Sequence, residues 1–169
     1  MYSLNVPVPA SVARLAGDLA RELPGARARA RDEHSLLVKR LGGSDGHEAE
    51  RLPARVREAI AGTPPFAVAT AGLGIFEEPP TGTGPVVYLA VESPELMALH
   101  DRLCGPFEPV PHLEGDEYVP HVTIARGGDP DVARCLAERP VERVTWNVTE
   151  LVIWDAERSL PTTRFSLPA

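Results

Sequence analysis

His121, Thr123 and Arg126 form a dense cluster of chemistry-bearing residues, within PHVTIAR at 120–126 of a 169-residue chain. Side chains alternate along a strand, so the imidazole of His121 and the hydroxyl of Thr123 point to one side. A ring that titrates near neutral pH can move a proton, a hydroxyl can donate a hydrogen bond, and a guanidinium matches the oxygens of a phosphate. The trio suits a phosphate group. Alone, H-x-T describes many half-buried strand histidines, but His34 opens a second such strand, HSLLVKRL at 34–41. Two imidazoles flanking one phosphodiester make a sufficient acid–base pair without a metal. The neutral ring takes a proton from water or a hydroxyl and the protonated ring gives one to the departing oxygen, each transfer contributing about 10²–10⁴-fold. Hydroxyls and cations at the non-bridging oxygens stabilise the charge that builds on phosphorus.

Those side chains must be held by strands and helices, and the order of these is written twice. Residues 2–8 read as a strand, then Ser11 is placed to cap a helix carrying Val12, Leu15, Leu19 and Leu23, stopped by Pro24-Gly25. The His34 strand ends at Gly42-Gly43, a helix with Leu52, Val56, Ala59 and Ile60 follows, and FAVATAGLGIF (66–76) is a strand whose glycines mark a bend or bulge. After the polar stretch 77–84 the order recurs. It runs through a strand at 85–91, a helix capped by Ser93 with Leu96, Leu99 and Leu103, a long loop at 105–117 and the His121 strand at 118–126. Gly127-Gly128 ends that strand, a helix runs from Asp129-Pro130 to about residue 138, and strands at 144–154 and 162–167 complete the set. Ser11 thus corresponds to Ser93, His34 to His121 and Gly42 to Gly127, as in an internal duplication whose halves pack about a pseudo-two-fold axis. Such an axis sets equivalent residues on opposite sides of a shared cleft.

PHVTIAR, His34 on the equivalent strand and the doubling together resemble the 2H phosphoesterase superfamily, in its 2'-5' RNA ligase or RNA 2',3'-cyclic phosphodiesterase group. The resemblance spans nearly the whole chain, supported by AGLGIF (71–76), VVYLAV (86–91) and SPELMALHDRL (93–103). It implies an α+β fold of two pseudo-symmetric lobes, with antiparallel-rich sheets facing a central cleft and helices outside. One domain over residues 1–169 is expected, its lobes formed by repeats at about 1–76 and 85–169. The implied activity is metal-independent opening of 2',3'-cyclic phosphate at an RNA or nucleotide end, with joining or cutting of 2'-5' linkages as a further possibility. His34 and His121 would exchange acid and base roles, and which is the base stays open. Thr123, Ser35, Arg126 and Lys39 are the candidate phosphate contacts, and Tyr118 and Phe76 the candidate surfaces for base or ribose.

The family carries H-x-[S/T] in each half, and the first half departs from it. Leu36, without a hydroxyl, stands two residues after His34, and Gly42 follows His34 by eight residues where Gly127 follows His121 by six. A bulge at His34 or Ser35 would bring both to one face and make Ser35 the stand-in hydroxyl. Alternatively Ser35 faces away and Leu36 packs beside His34, leaving a weakened site. Lys39 follows His34 by five residues as Arg126 follows His121, yet a position five along a regular strand points away, so either cation needs twist or a bend to reach phosphate. His112 lies in an exposed loop, and His47 and His100 receive no role.

Composition narrows the class. Seventeen basic against 24 acidic residues give a net charge of −7, which excludes a uniformly basic nucleic-acid coat but not a local arginine cleft. No apolar run nears the roughly 18 residues of a membrane helix, and residues 1–10 lack the basic start and apolar core of a signal peptide, so a cytoplasmic monomer without membrane contact is expected. Cys104 and Cys135 read as reduced packing residues. Gly72-x-Gly74 lacks the rest of a dinucleotide fingerprint, no GxxxxGK[S/T] loop exists, and no HExxH or other ligand cluster calls for a metal or cofactor. Asp32, His34 and Ser35 are the residue types of a serine triad but are too close along one strand to chain together. Three functions compete: the cyclic phosphodiesterase, a non-catalytic binder of nucleotide or RNA ends that kept the cleft, and a phosphodiesterase for a small cyclic nucleotide or ADP-ribose cyclic phosphate. The partner in each is an RNA terminus or small nucleotide.

Overall fold

Short alternating segments punctuated by glycine and proline become nine strands, and the amphipathic stretches between them become four helices, among the described residues 1–30, 33–43 and 46–168 of a computed structural model. Asp32 lies outside those residues. In chain order the elements are β1 (Tyr2–Pro7), α1 (Ala10–Ala20), β2 (Ala26–Ala28), β3 (Ser35–Gly42), α2 (Gly46–Ala59), β4 (Phe66–Phe76) and β5 (Val86–Glu92). They continue with α3 (Pro94–Leu103), β6 (His121–Gly127), α4 (Pro130–Ala137), β7 (Thr145–Val148), β8 (Glu150–Asp155) and β9 (Leu160–Ser166).

The strands form two antiparallel sheets, β3-β1-β8-β9 and β2-β6-β5-β4-β7, an α+β arrangement as expected. Each sheet draws strands from both halves of the sequence, so the lobes are not the separate repeats 1–76 and 85–169. β4 hairpins onto β5 across residues 77–84, while β8 returns to pair with β1. The helices cross over too. α1, buried through Val12, Ala16 and Leu19, packs on β6, and α3 of the second half packs on β3. Burial of each such leucine or valine is worth about 1.5–3 kcal/mol, which locks each motif strand to a helix of the other half.

Local chemistry explains most boundaries. Ser93 Oγ accepts the Leu96 N–H and Asp129 accepts from the N–H groups of Asp131 and Val132, with proline at the first helical position in both. Ser11 does not cap α1: Pro9 holds the cap position and Ser11 lies in the first turn. The single strand expected over 144–154 is divided at Thr149, because β7 pairs with β4 in one sheet and β8 with β1 in the other. β2 escapes the sequence pattern, being only the three residues Ala-Arg-Ala. Cys104 and Cys135 are free thiols, and Cys135 is exposed rather than packed.

Candidate phosphate cleft

β3 and β6 each carry a bulge, and its position decides which side chains reach the space between the sheets. On β3, Asn5 pairs with Leu37 and Leu4 with Lys39, leaving Val38 as the extra residue. On β6, Tyr88 pairs with Thr123 and Val87 with Ala125, leaving Ile124 extra. The bulge turns the strand by one residue, so i, i+2 and i+5 share a face. On β6 those are His121, Thr123 and Arg126; on β3 they are Ser35, Leu37 and Arg40. All six line one polar cavity of about 240 Å³, together with Arg29, Glu33, Ser3 and Asn5.

The first-half expectation is corrected by this register. Glu33 and Ser35 line the cavity and His34 between them does not; it is 6% exposed and shares the parity of Leu36 and Val38, both fully buried. The bulge falls at Val38, not at His34 or Ser35, so Ser35 stands where the duplication sets a counterpart of His121. Ser35 keeps its cleft position without His34, and Leu36 is core.

Lys39 is likewise not a cleft cation. The bulge sends it inward, where it is completely buried and ion-paired with Glu114. Its ammonium also donates to the carbonyls of Glu108 (3.2 Å) and Arg40 (3.1 Å), while Glu114 accepts the N–H groups of Arg40 (2.7 Å) and Val110 (3.0 Å). Burial raises the Glu114 pKa, but the Lys39 bond and the backbone bonds outweigh it and hold the carboxyl below its ordinary value. The pair ties β3 to the 105–117 loop. His100 adds a second tie: its Nδ1–H donates to Val38 O (2.7 Å), and Nε2 accepts the Gly115 N–H (2.9 Å).

His121 donates through Nδ1 to the carbonyl of Val119 (2.7 Å), which leaves the lone pair on Nε2. Burial is the main force lowering its pKa, and the charges of Arg126, Arg40 and Arg29 add to it against the Val119 bond, so the ring is neutral at pH 7. The Arg126 pKa is lowered by burial and then by the neighbouring charges of Arg29 and Arg40. Phe76 meets His121 edge-on with centroids 5.2 Å apart and stacks on Tyr88 at 4.3 Å. Gly74 is required there, because a Cβ would run into the Tyr88 ring. Phe76 thus stands beside the imidazole, in an apolar cavity shared with Pro79, Pro80, Val119 and Leu37. Tyr118 borders the same cavity, but its hydroxyl donates to Leu37 O (2.6 Å) and its ring stacks on His100 at 3.8 Å, so it braces β3 more than it offers a surface.

Arg29, Arg40 and Tyr88 were missed from the sequence. Counting back by twos from the apolar Leu36 and Val38 was the available signal: it sets His34 on the core side. Arg40 matches Arg126 only through the bulge at Val38, because strict alternation would set it on the same side as Leu36 and Val38.

The sequence matches the family model of the 2'-5' RNA ligase superfamily over residues 38–160, well over half of the chain. The chain belongs to that superfamily. The match begins just past Leu37, leaving the altered first motif outside it. No curated protein matches the sequence. Among solved structures, TT0787 of Thermus thermophilus is similar with a TM-score of 0.72 at 18% identity, over 98% of this chain and 97% of that one. E. coli LigT in complex with 3'-AMP gives 0.73 at 17%, over 99% and 98%. The same protein in complex with phosphate gives 0.68 at 18%, over 99% and 97%. The superfamily member therefore has the LigT-like fold, and no described helix is long and apolar enough to cross a membrane.

Proposed function

We propose that the cleft binds the terminal phosphate of a nucleotide or RNA end and hydrolyses a 2',3'-cyclic phosphate slowly, with His121 as the one imidazole at phosphorus. The observation that carries this is the cleft face itself: one histidine, the hydroxyls of Thr123 and Ser35, and the guanidiniums of Arg29, Arg40 and Arg126 around one cavity. LigT, of the same fold, is known in complex with phosphate and with 3'-AMP, which supports a phosphate-bearing nucleotide as the ligand class.

The chemistry follows from protonation states. Neutral His121 with its Nε2 lone pair serves as general base, taking a proton from the attacking water, while the arginines hold the non-bridging oxygens. Ser35 cannot deliver a proton as an imidazolium does. The leaving ribose oxygen takes its proton from solvent, so turnover lacks about 10²–10⁴-fold relative to a two-imidazole site.

The test uses the purified chain with a chelator present, measuring calorimetric binding of 3'-AMP and turnover of 2',3'-cyclic AMP. Binding is expected to saturate, His121→Ala to abolish turnover, and His34→Ala to leave turnover and binding as they were. Loss of turnover in His34→Ala with 3'-AMP binding intact would restore the two-histidine mechanism. Absence of 3'-AMP binding in the wild type would remove the phosphate-cleft reading.

A further inference from the structure

Asn5 lies on the wall of the phosphate cavity and has no part in the reaction described so far. β1 alternates: Leu4 and Val6 face the core at 0% and 1% exposure, so Ser3 and Asn5 face the cavity, which both of them line. Asparagine is depleted from strands, and this one sits inside a sheet, paired with Leu37 of β3 on one side and Val152 of β8 on the other. Its backbone is therefore held from both sides. The carboxamide is held as well, since Nδ2 donates to Ser3 Oγ (3.1 Å).

That bond turns the amino end toward Ser3 and leaves the oxygen. Asn5 is 5% exposed, and among the described residues no donor meets Oδ1. Buried acceptors are satisfied in folded proteins, so an orphan aimed into a binding cavity points to a donor that arrives with the reactants. The field of the cavity supports this orientation. Arg29, Arg40 and Arg126 line the same space, and their charges favour the oxygen end of a carboxamide over its amino end.

The chemistry of the reactants names the donor. A phosphodiester offers only acceptor oxygens, and a 2',3'-cyclic phosphate leaves no free hydroxyl on the two carbons it bridges. The attacking water does carry a spare hydrogen. One of its lone pairs goes to phosphorus and one hydrogen to Nε2 of His121, and the second hydrogen needs an acceptor in a cavity walled largely by guanidiniums and hydroxyls. Glu33, the carboxylate of the cavity, lies against Arg29 at 3.9 Å.

We infer that Asn5 Oδ1 accepts this second hydrogen and so orients the attacking water between phosphorus and His121. This rests on the phosphate-cleft reading and adds a second catalytic residue to it, from the other sheet. The water oxygen bonds to phosphorus as the bond from phosphorus to one ribose oxygen breaks. His121 takes the first proton, and the second stays on the oxygen now bound to phosphorus, hydrogen-bonded to Asn5. Solvent protonates the departing ribose oxygen.

The test replaces Asn5 by leucine, which keeps the shape without the acceptor, and follows 2',3'-cyclic AMP in water and in aqueous methanol. Methanol has a single O–H hydrogen, which His121 takes, so its attack leaves no second hydrogen to place. Asn5→Leu is expected to lower kcat for hydrolysis about 10–100-fold, as a misplaced reacting group does, while formation of the methyl phosphodiester and calorimetric binding of 3'-AMP stay as in wild type. Ser3→Ala frees the carboxamide to turn. It should move the ratio of methyl ester to hydrolysis product the same way by a smaller factor, and it carries the test should Asn5→Leu not fold. Equal losses of hydrolysis and methanolysis, an unchanged product ratio, or a loss of 3'-AMP binding that matches the loss of hydrolysis would overturn the inference and leave the phosphate cleft standing. Wild-type binding of 3'-AMP without turnover would overturn the inference and the hydrolysis together, and absence of both would remove the cleft as well.

Discussion

β3 and β6 bear the same backbone device: a bulge three residues into the strand that turns i, i+2 and i+5 toward the cleft. What they present differs. β6 offers His121, Thr123 and Arg126, whereas β3 offers Ser35, Leu37 and Arg40, so only the cation is common to both. What lies behind them differs as well. At the inward position after the bulge, β6 has the small Ala125 under α1, and β3 has the buried Lys39–Glu114 pair. The two strands share the backbone device and not the side chains: β6 presents an imidazole to the cleft, and β3 a cationic wall anchored to the loop that leads into β6.

Restoring the missing imidazole is the sharpest way to break or sharpen that comparison. Ser35→His is expected to raise turnover of 2',3'-cyclic AMP by about 10²–10⁴-fold, since it supplies the absent proton donor opposite His121. A folded Ser35→His protein with unchanged turnover would break the equivalence of the two strands.

The backing of β3 comes next. Glu114→Ala leaves Lys39 charged, buried and without its carboxylate, and should cost about 3–5 kcal/mol in denaturant unfolding. The double replacement Lys39→Met with Glu114→Gln should recover most of the loss. If Glu114→Ala were as mild as an exposed substitution, the two strands would be backed alike in energy despite their different residues.

A smaller effect separates the middle positions of the two faces. Thr123→Val removes a hydroxyl from the phosphate cavity and is expected to weaken 3'-AMP binding about tenfold, the equivalent of ~1.4 kcal/mol, while Leu37→Val should change it little. Calorimetric titration reads both.

The pH dependence is the mildest test. Because burial and the arginines lower the His121 pKa below its ordinary 6.5, the folded state resists a proton that the unfolded chain accepts. His121 therefore contributes stability above pH 6.5 that is lost as pH falls through that value toward the folded pKa. Thermal melts from pH 8 downward, wild type minus His121→Gln, should show this decline, and saturating phosphate should reduce it by compensating the positive charge. A difference curve that is flat, or that rises toward acid, would put His121 outside the arginine cluster.

Much of this was legible in the sequence. Apolar periodicity and the Ser93, Asp129-Pro130 and Gly-Gly signals located most elements to within a few residues, because caps, proline and alternation act over one turn or one strand. The doubling pointed to a shared cleft, and H-x-T with its arginine marked the half of the site that faces it. Tertiary structure alone decided the face of His34. Leu36 and Leu37 are the same residue type, so the sequence does not say which of them is core; the bulge at Val38, set by pairing with β1, does. A slip of one residue reverses every side chain of a strand, which is why Ser35 and Arg40 reach the cleft while Lys39 turns inward to Glu114. Arg29 likewise becomes a cleft residue only because β2 pairs with β6, a contact across about a hundred residues that no local pattern records.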